Sequence, residues 1–380
     1  MKRTYISGWL LIPCILLQVL VIGCDNSDTD DIGAASDNIQ VTAWPEVLAM
    51  VVASDNSSAT VSTVNTRTLA IQPSQRVVPS DSVCRYNQIT NQMYVVSRLG
   101  SGSISLFNWV KGGLEWAIQY SVDATTNPQD IAVISPQKAI VPRFDKADLL
   151  VIHPADGTVL GTIDISAYAD ADGLPEAAQA LSINGTVYVT LQRLQPVTYA
   201  PTEFSSVLMI DGATDAVTAQ VKLNVKNPAG KLRFSDAVNG LVLSGTGDWA
   251  ALDGGIEVMG LDGALSGMLI SEAVLGGNVA DAVIASATKG FAIISVAGEN
   301  RSNTHLVAFN PQTGVKGATL IASNGYQLYN LELSRDGKLW VADRTSTNPG
   351  VRIFNVADNT EITTAPLSVG LPPSMICLVK

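Results

Sequence analysis

The chain of 380 residues is poor in the groups that most chemistry needs. It has two histidines, four cysteines, 6% aromatic residues and 15% charged residues. His153 and His305 stand far apart, each beside a segment with strand character. No Cys/His metal cluster can therefore be assembled, and only carboxylates remain to serve as a base. Segments of useful length with the 3.6-residue period of an amphipathic helix are also missing, which argues for an all-β chain. Basic residues are outnumbered, 23 against 34 acidic, for a net charge of -11. Such a field repels nucleic acid and anionic surfaces, so any anion site must be a local gathering of cations.

What is present begins with Lys2 and Arg3, followed by an apolar run over 6–22 that is broken only by Ser7, Gly8, Pro13, Cys14 and Gln18. A basic start, a short apolar core and a small residue before the break mark an export signal rather than a spanning helix. The run ends in Val21-Ile22-Gly23-Cys24, which resembles the lipobox of bacterial lipoprotein signals. The resemblance implies cleavage after residue 23 and a diacylglycerol on the Cys24 thiol. The protein is then expected in the bacterial cell envelope, outside the cytoplasm and held to a membrane by lipid. Asp25 resembles the inner-membrane retention signal of enteric bacteria, but other lineages sort differently, so the choice of membrane stays open. Residues 24–42 are acidic, rich in Asp, Ser and Asn, and read as a flexible tether. Loss of the signal removes Lys2 and Arg3 and no acid, leaving 21 basic against 34 acidic residues, a net charge of -13.

The remainder repeats. Leu149-Leu150-Val151-Ile152 runs into a turn at Asp156-Gly157 and then Val159-Leu160-Gly161-Thr162-Ile163, a hairpin pattern. It returns at Val207-Leu208-Met209-Ile210-Asp211, at Leu306-Val307-Ala308-Phe309-Asn310 and at Val351-Arg352-Ile353-Phe354-Asn355, with weaker copies at 61–64, 104–108 and 256–261. A second strand pair precedes each hairpin, as in Lys138-Ala139-Ile140-Val141-Pro142 and Lys338-Leu339-Trp340-Val341-Ala342. Four short strands per unit, at intervals of roughly 42 to 58 residues, make the blade of a propeller.

The unit, a short apolar strand, an Asp or Asn, a Thr-containing turn and a strand ending in Thr-Ile, resembles the YVTN family of β-propeller repeats over 43–380. The seven copies imply a seven-bladed propeller of four-stranded antiparallel blades, and the resemblance points to the same fold. It implies no activity, since such rings serve many tasks. The chain enters at Val47-Leu48-Ala49-Met50-Val51-Val52, a second strand without a first, and ends on 374–378, a first strand without a second. The two ends are expected to pair in one blade, because an open ring leaves bare strand edges. Cys84 and Cys377 then sit at matching positions in neighbouring blades, either as a disulfide across that seam or as two buried thiols.

Aligning the blades at the end of the second strand puts Arg98, Arg143, Arg193 and Arg344 in one register, a candidate cationic patch for carboxylate or phosphate. The alternative is that each arginine pairs with a neighbouring acid and ties down its own loop. The long inter-blade segment 169–176 carries Asp170, Asp172 and Glu176, oxygen donors of the kind Ca2+ takes, although their spacing is not that of an EF-hand. Asp172 and Glu176 also join the candidate ligand-binding set. Trp109, Trp116, Tyr326 and Tyr329 lie near strand ends, where they either cover a small ligand or pack between blades. No catalytic residue and no required cofactor stand out. The favoured reading is a non-catalytic, monomeric binding module for a small anionic molecule or an envelope or transport partner, without affinity for nucleic acid. A metal-dependent lactonase-like hydrolase and a structural envelope scaffold are the alternatives. A quinoprotein is disfavoured, because the blade turns run on as Gly161-Thr162-Ile163 without the tryptophan of that repeat.

Overall fold

The computed structural model describes residues 48–110, 113–298 and 302–379. The export signal over 1–23, Cys24 and the tether over 24–42 lie outside the described residues. The chain forms seven antiparallel sheets, six of four regular strands and one of three. Together they make a seven-bladed β-propeller.

Burial explains why the middle strands carry the sequence signal. In blade 3, Lys138–Pro142 and Asp148–Ile152 are buried along almost their whole length, whereas the outer strand Val159–Asp164 is exposed at all but one position. A middle strand has a neighbouring blade on both faces and so reads as a continuous apolar run; the outermost strand meets water. The core is accordingly divided into one cluster per seam. Ile140, Leu149 and Val151 of blade 3 meet Val187, Val189 and Leu208 of blade 4 in one of them, and the clusters together number seven. Truncating one such side chain to alanine typically costs about 2–5 kcal/mol.

The Asp or Asn that ends the third strand of blades 1, 4, 6 and 7 has a mechanical role. Oδ1 of Asp211 accepts from the amides of Ala213 and Thr214 at 3.0 and 2.8 Å; Asn310 does the same in its blade, and Asn355 accepts the Ala357 amide at 3.0 Å. Four residues on, the chain turns through positive φ at Asp215, Gly314 and Asn359. The short polar side chain caps the turn, and the left-handed residue closes it.

Ring closure follows the expected route. Pro373–Leu378 pairs antiparallel with Leu48–Ser54, setting Met50 opposite Cys377 and Val52 opposite Met375. The C-terminal strand thus becomes the innermost strand of blade 1. Blade 7 departs from the four-strand plan: its outer edge is an irregular segment joined by bridges at Val351–Leu367 and Phe354–Glu361. Pro366 sits in that segment and has no N–H to donate to a ladder.

Candidate functional site

Antiparallel alternation puts the start of each innermost strand and the end of each second strand on the same face of the ring. The innermost strands wall the axial channel, and the charges they carry meet there. Arg85 of blade 2 donates through Nε to Asp130 of blade 3 at 3.0 Å and also pairs with it through a terminal nitrogen. The Asp130 carboxylate accepts the amides of Ile131 at 2.9 Å and Ala180 of blade 4 at 3.0 Å. Arg233 of blade 5 chelates Asp281 of blade 6 at 2.5 and 2.9 Å, and Asp281 accepts the amides of Ala282 and Leu331 at 3.0 and 2.9 Å. One device is used twice: a guanidinium holds the next blade's carboxylate, which captures an amide of the blade after that.

Other bonds join blades that are not neighbours, so they cross the axis. Arg85 reaches the Leu232 carbonyl of blade 5 at 3.3 Å, and Arg233 reaches that of Leu331 in blade 7 at 2.5 Å. Lys231 of blade 5 donates to Glu332 of blade 7 at 2.5 Å and to the Ile376 carbonyl of blade 1 at 3.4 Å. Three cations and three carboxylates thus plug the channel. Burial works against the charge on Arg85 and Arg233, but the carboxylates of Asp130 and Asp281 outweigh it and raise both pKa values. Lys231 is raised in the same way, with Cys377 and Glu332 opposing burial.

Over this plug lies a cavity of about 110 Å³, lined among others by Arg85, Arg98, Gln179, Lys231, Tyr329 and Asn330. Its volume suits a small polar head group and its lining offers both donors and acceptors. Tyr329 is 48% exposed, and the Arg344 guanidinium lies 4.6 Å from its ring centroid. Tyr326 and Trp249 are also half exposed, with ring centroids 6.0 Å apart.

The four aligned arginines all lie at or just past the ends of their second strands, but their heads part company. Arg98 lines the cavity while bonded to Asp81 at 2.5 Å and Gln129 at 3.3 Å. Arg344 backs Tyr329 and donates to Asn56 at 3.2 Å. Arg143 is buried against Asp148 of its own blade. Arg193, also buried, lies 4.0 Å over Phe204 and donates to that residue's carbonyl at 3.3 Å. One of the four therefore lines the cavity, one backs a tyrosine that lines it, and two are bound into their blades.

In the loop over 169–176, Asp170 and Asp172 accept loop amides, and Glu176 is buried with its carboxylate on the Leu194 amide at 2.9 Å. Among the described residues no three His, Cys, Asp or Glu side chains are grouped to hold a metal. Of the aromatics singled out from sequence, Trp109 is buried between blades 1 and 2, and Trp116 is partly exposed beneath Arg76 at 3.9 Å. Cys84 and Cys377 are buried free thiols.

Sequence reasoning missed Arg85, Lys231, Arg233, Asp281 and Glu332. The signal was there: charges embedded in the apolar first strands, as in Leu331-Glu332-Leu333.

The fold defines a class, the seven-bladed β-propeller, and the relatives are structural ones. No protein-family model matches the chain, and no curated protein matches it in sequence. Among solved structures, a putative 6-phosphogluconolactonase from Bacteroides uniformis superposes with a TM-score of 0.60 at 15% identity, covering 88% of this chain and 100% of that one. A protein of unknown function from Desulfotomaculum acetoxidans gives 0.56 at 12% identity, covering 87% and 98%. Apo AztD from Citrobacter koseri gives 0.50 at 9% identity, covering 87% and 97%. At these identities the likeness is one of fold.

Proposed function

We propose that this protein is a non-catalytic, lipid-anchored binding module of the bacterial cell envelope, built on YVTN-type repeats. In this reading, it takes a small ligand with an anionic group at the mouth of its closed channel. The observation that carries the proposal is the cavity over the plug, where Arg98 and the Arg344-backed Tyr329 stand on a surface whose net charge is otherwise strongly negative. A guanidinium can keep one carboxylate partner and still offer N–H groups to a second anion. The half-exposed ring of Tyr329 supplies an apolar wall beside it. The plug beneath is internally neutral, so it gives the ligand a floor of satisfied polar groups rather than a passage.

Lipidation at Cys24 rests on the shape of the signal and the lipobox resemblance. Metabolic labelling with a fatty acid tests it: C24S should abolish both the label and membrane association. The binding role is tested by thermal-shift screening against small carboxylates, phosphates and sugar acids. At least one class should raise the melting temperature; R98A should weaken that ligand about tenfold or more, the scale of one charged hydrogen bond, and Y329A should weaken it through loss of the apolar wall. A panel without any hit, or binding indifferent to both substitutions, would defeat the reading. A lactone hydrolase is the second class of activity found on this fold, as the putative 6-phosphogluconolactonase illustrates. Fold likeness alone carries no chemistry, so that reading is not adopted.

A further inference from the structure

Cys84 and Cys377 occupy the innermost strands on the two sides of the seam between blades 1 and 2, Ser82–Asn87 of blade 2 and Pro373–Leu378, the closing strand of blade 1. Both are 2% exposed and pack in one cluster with Met50, Met93 and Met375. Each thiol figures in the other's pKa shift, so the two lie near one another within that cluster. Lys231 arrives from blade 5, across the axis, and places Nζ 3.5 Å from the Cys377 sulfur. Cys84 borders the cavity at the mouth. The plug around the pair already balances three cations with three carboxylates, so a lasting thiolate would add an unmatched buried charge. A disulfide would add none.

We propose that Cys84 and Cys377 are a redox-active dithiol that small hydroperoxides, entering through the cavity, convert into a disulfide fastening the C-terminal strand to blade 2. Cys377 is the attacking sulfur. Burial opposes its ionisation, but the Cys84 S–H and the Lys231 ammonium favour the thiolate and together outweigh burial, whereas burial pushes Cys84 well up. The Cys377 thiolate attacks one oxygen of hydrogen peroxide and breaks the O–O bond. This gives a sulfenic acid on Cys377 and a hydroxide that takes up the proton released on ionisation. The Cys84 sulfur then attacks the Cys377 sulfur, the S–O bond breaks, and the OH leaves as water with the Cys84 proton. Two thiols and one peroxide become one disulfide and two waters. A cavity of about 110 Å³ admits peroxide as far as Cys84 and Lys231, whose Nζ lies 3.5 Å from the Cys377 sulfur, while the near-complete burial of both sulfurs shuts out a protein disulfide as oxidant. Oxidation joins blade 1 covalently to blade 2 across a seam otherwise held by side-chain packing. It therefore stabilises the closed propeller by limiting what the unfolded chain can explore.

The test is peroxide titration of the reduced full-length protein, followed by alkylation and peptide mapping without reductant. The expected product is a cross-linked Cys84–Cys377 peptide, reversed by dithiothreitol and accompanied by a higher melting temperature. K231Q, which keeps a polar head without the charge, should slow cross-linking by on the order of tenfold through a smaller thiolate fraction. C84S should stop at a Cys377 sulfenic acid that a dimedone probe captures. Both cysteines alkylated after treatment that fully oxidises a free thiol would overturn the proposal, as would sulfenic or sulfinic products in the wild type without the cross-link. These readouts need no ligand, so they stand or fall separately from the binding role.

Discussion

Arg233 holds Asp281 through both terminal nitrogens, at 2.5 and 2.9 Å, while each residue is nine-tenths buried or more. The pair ties blade 5 to blade 6, and the carboxylate also captures the Leu331 amide of blade 7. Removing Asp281 leaves Arg233 buried and charged with only the more distant Glu332 carboxylate, 3.7 Å from Nε, to answer it. D281A should therefore lose about 3–5 kcal/mol of stability, whereas R233M/D281L, which removes both charges, should lose much less. Denaturant unfolding of the three proteins decides the matter. Equal losses in the single and double variants would mean that the pair contributes through shape rather than charge.

The C-terminal strand carries the closure. Deleting 374–380 takes away the partner of Leu48–Ser54, the amide of Ile376 that Asn330 accepts at 2.8 Å, and the carbonyl on which Lys231 rests. It also exposes an inner strand edge. The truncated protein should melt at a clearly lower temperature and self-associate, as read by calorimetry and light scattering. An unchanged melting temperature would show that blade 1 stands without its innermost strand.

The fold was legible because blade geometry writes itself into composition. Leu149–Ile152 is apolar without a break because it is covered on both faces, and Asp156-Gly157 follows because the hairpin needs a left-handed turn. Closure was legible too, since the unmatched strands at the two ends have only each other as partners. The candidate site was legible in part. Alignment found the loops that bear Arg98 and Arg344, but a shared register does not determine where a long side chain points. Asp148 and Phe204 draw Arg143 and Arg193 back into their own blades. The plug escaped notice because its partners are set by the ring. Arg85 and Asp130 are 45 residues apart, and Lys231 and Glu332 are 101 apart. No local pattern links them until the axis is drawn.

Gly290 offers a check on inter-strand packing that is independent of charge. It faces the Phe309 ring on the neighbouring strand, and a Cβ there would lie 2.3 Å from the ring's Cζ. Since Phe309 is buried in the seam between blades 5 and 6, the ring has little room to yield. G290A should cost about 1–3 kcal/mol, the usual range for overpacking, and G290A/F309L should recover part of that loss in thermal denaturation. A neutral G290A would mean that the ring has another rotamer open to it.

The loop between blades 3 and 4 should make stability depend on pH in the neutral range. Glu176 is buried at a left-handed backbone position with φ of 46°. Burial pushes its pKa up from 4.5 to about 8; the Leu194 amide and Arg193 oppose the rise, and Asp170 and Asp172 add to it. The folded chain therefore keeps a proton that the unfolded chain gives up near 4.5. The associated stability is complete below that pH and is lost as the pH climbs toward 8. Glu272, pushed up to about 7 chiefly by burial, adds a slope of the same sign. Because water reaches the loop surface and screens the group, the loss from Glu176 should be about 1–2 kcal/mol rather than the full linkage value. E176Q cannot ionise and still presents an oxygen to the Leu194 amide. Unfolding free energies measured from about pH 5 to pH 8.5 should fall in the wild type and fall less steeply in E176Q, the residual slope belonging to Glu272. Parallel profiles for the two proteins would mean that Glu176 ionises normally in the folded ring.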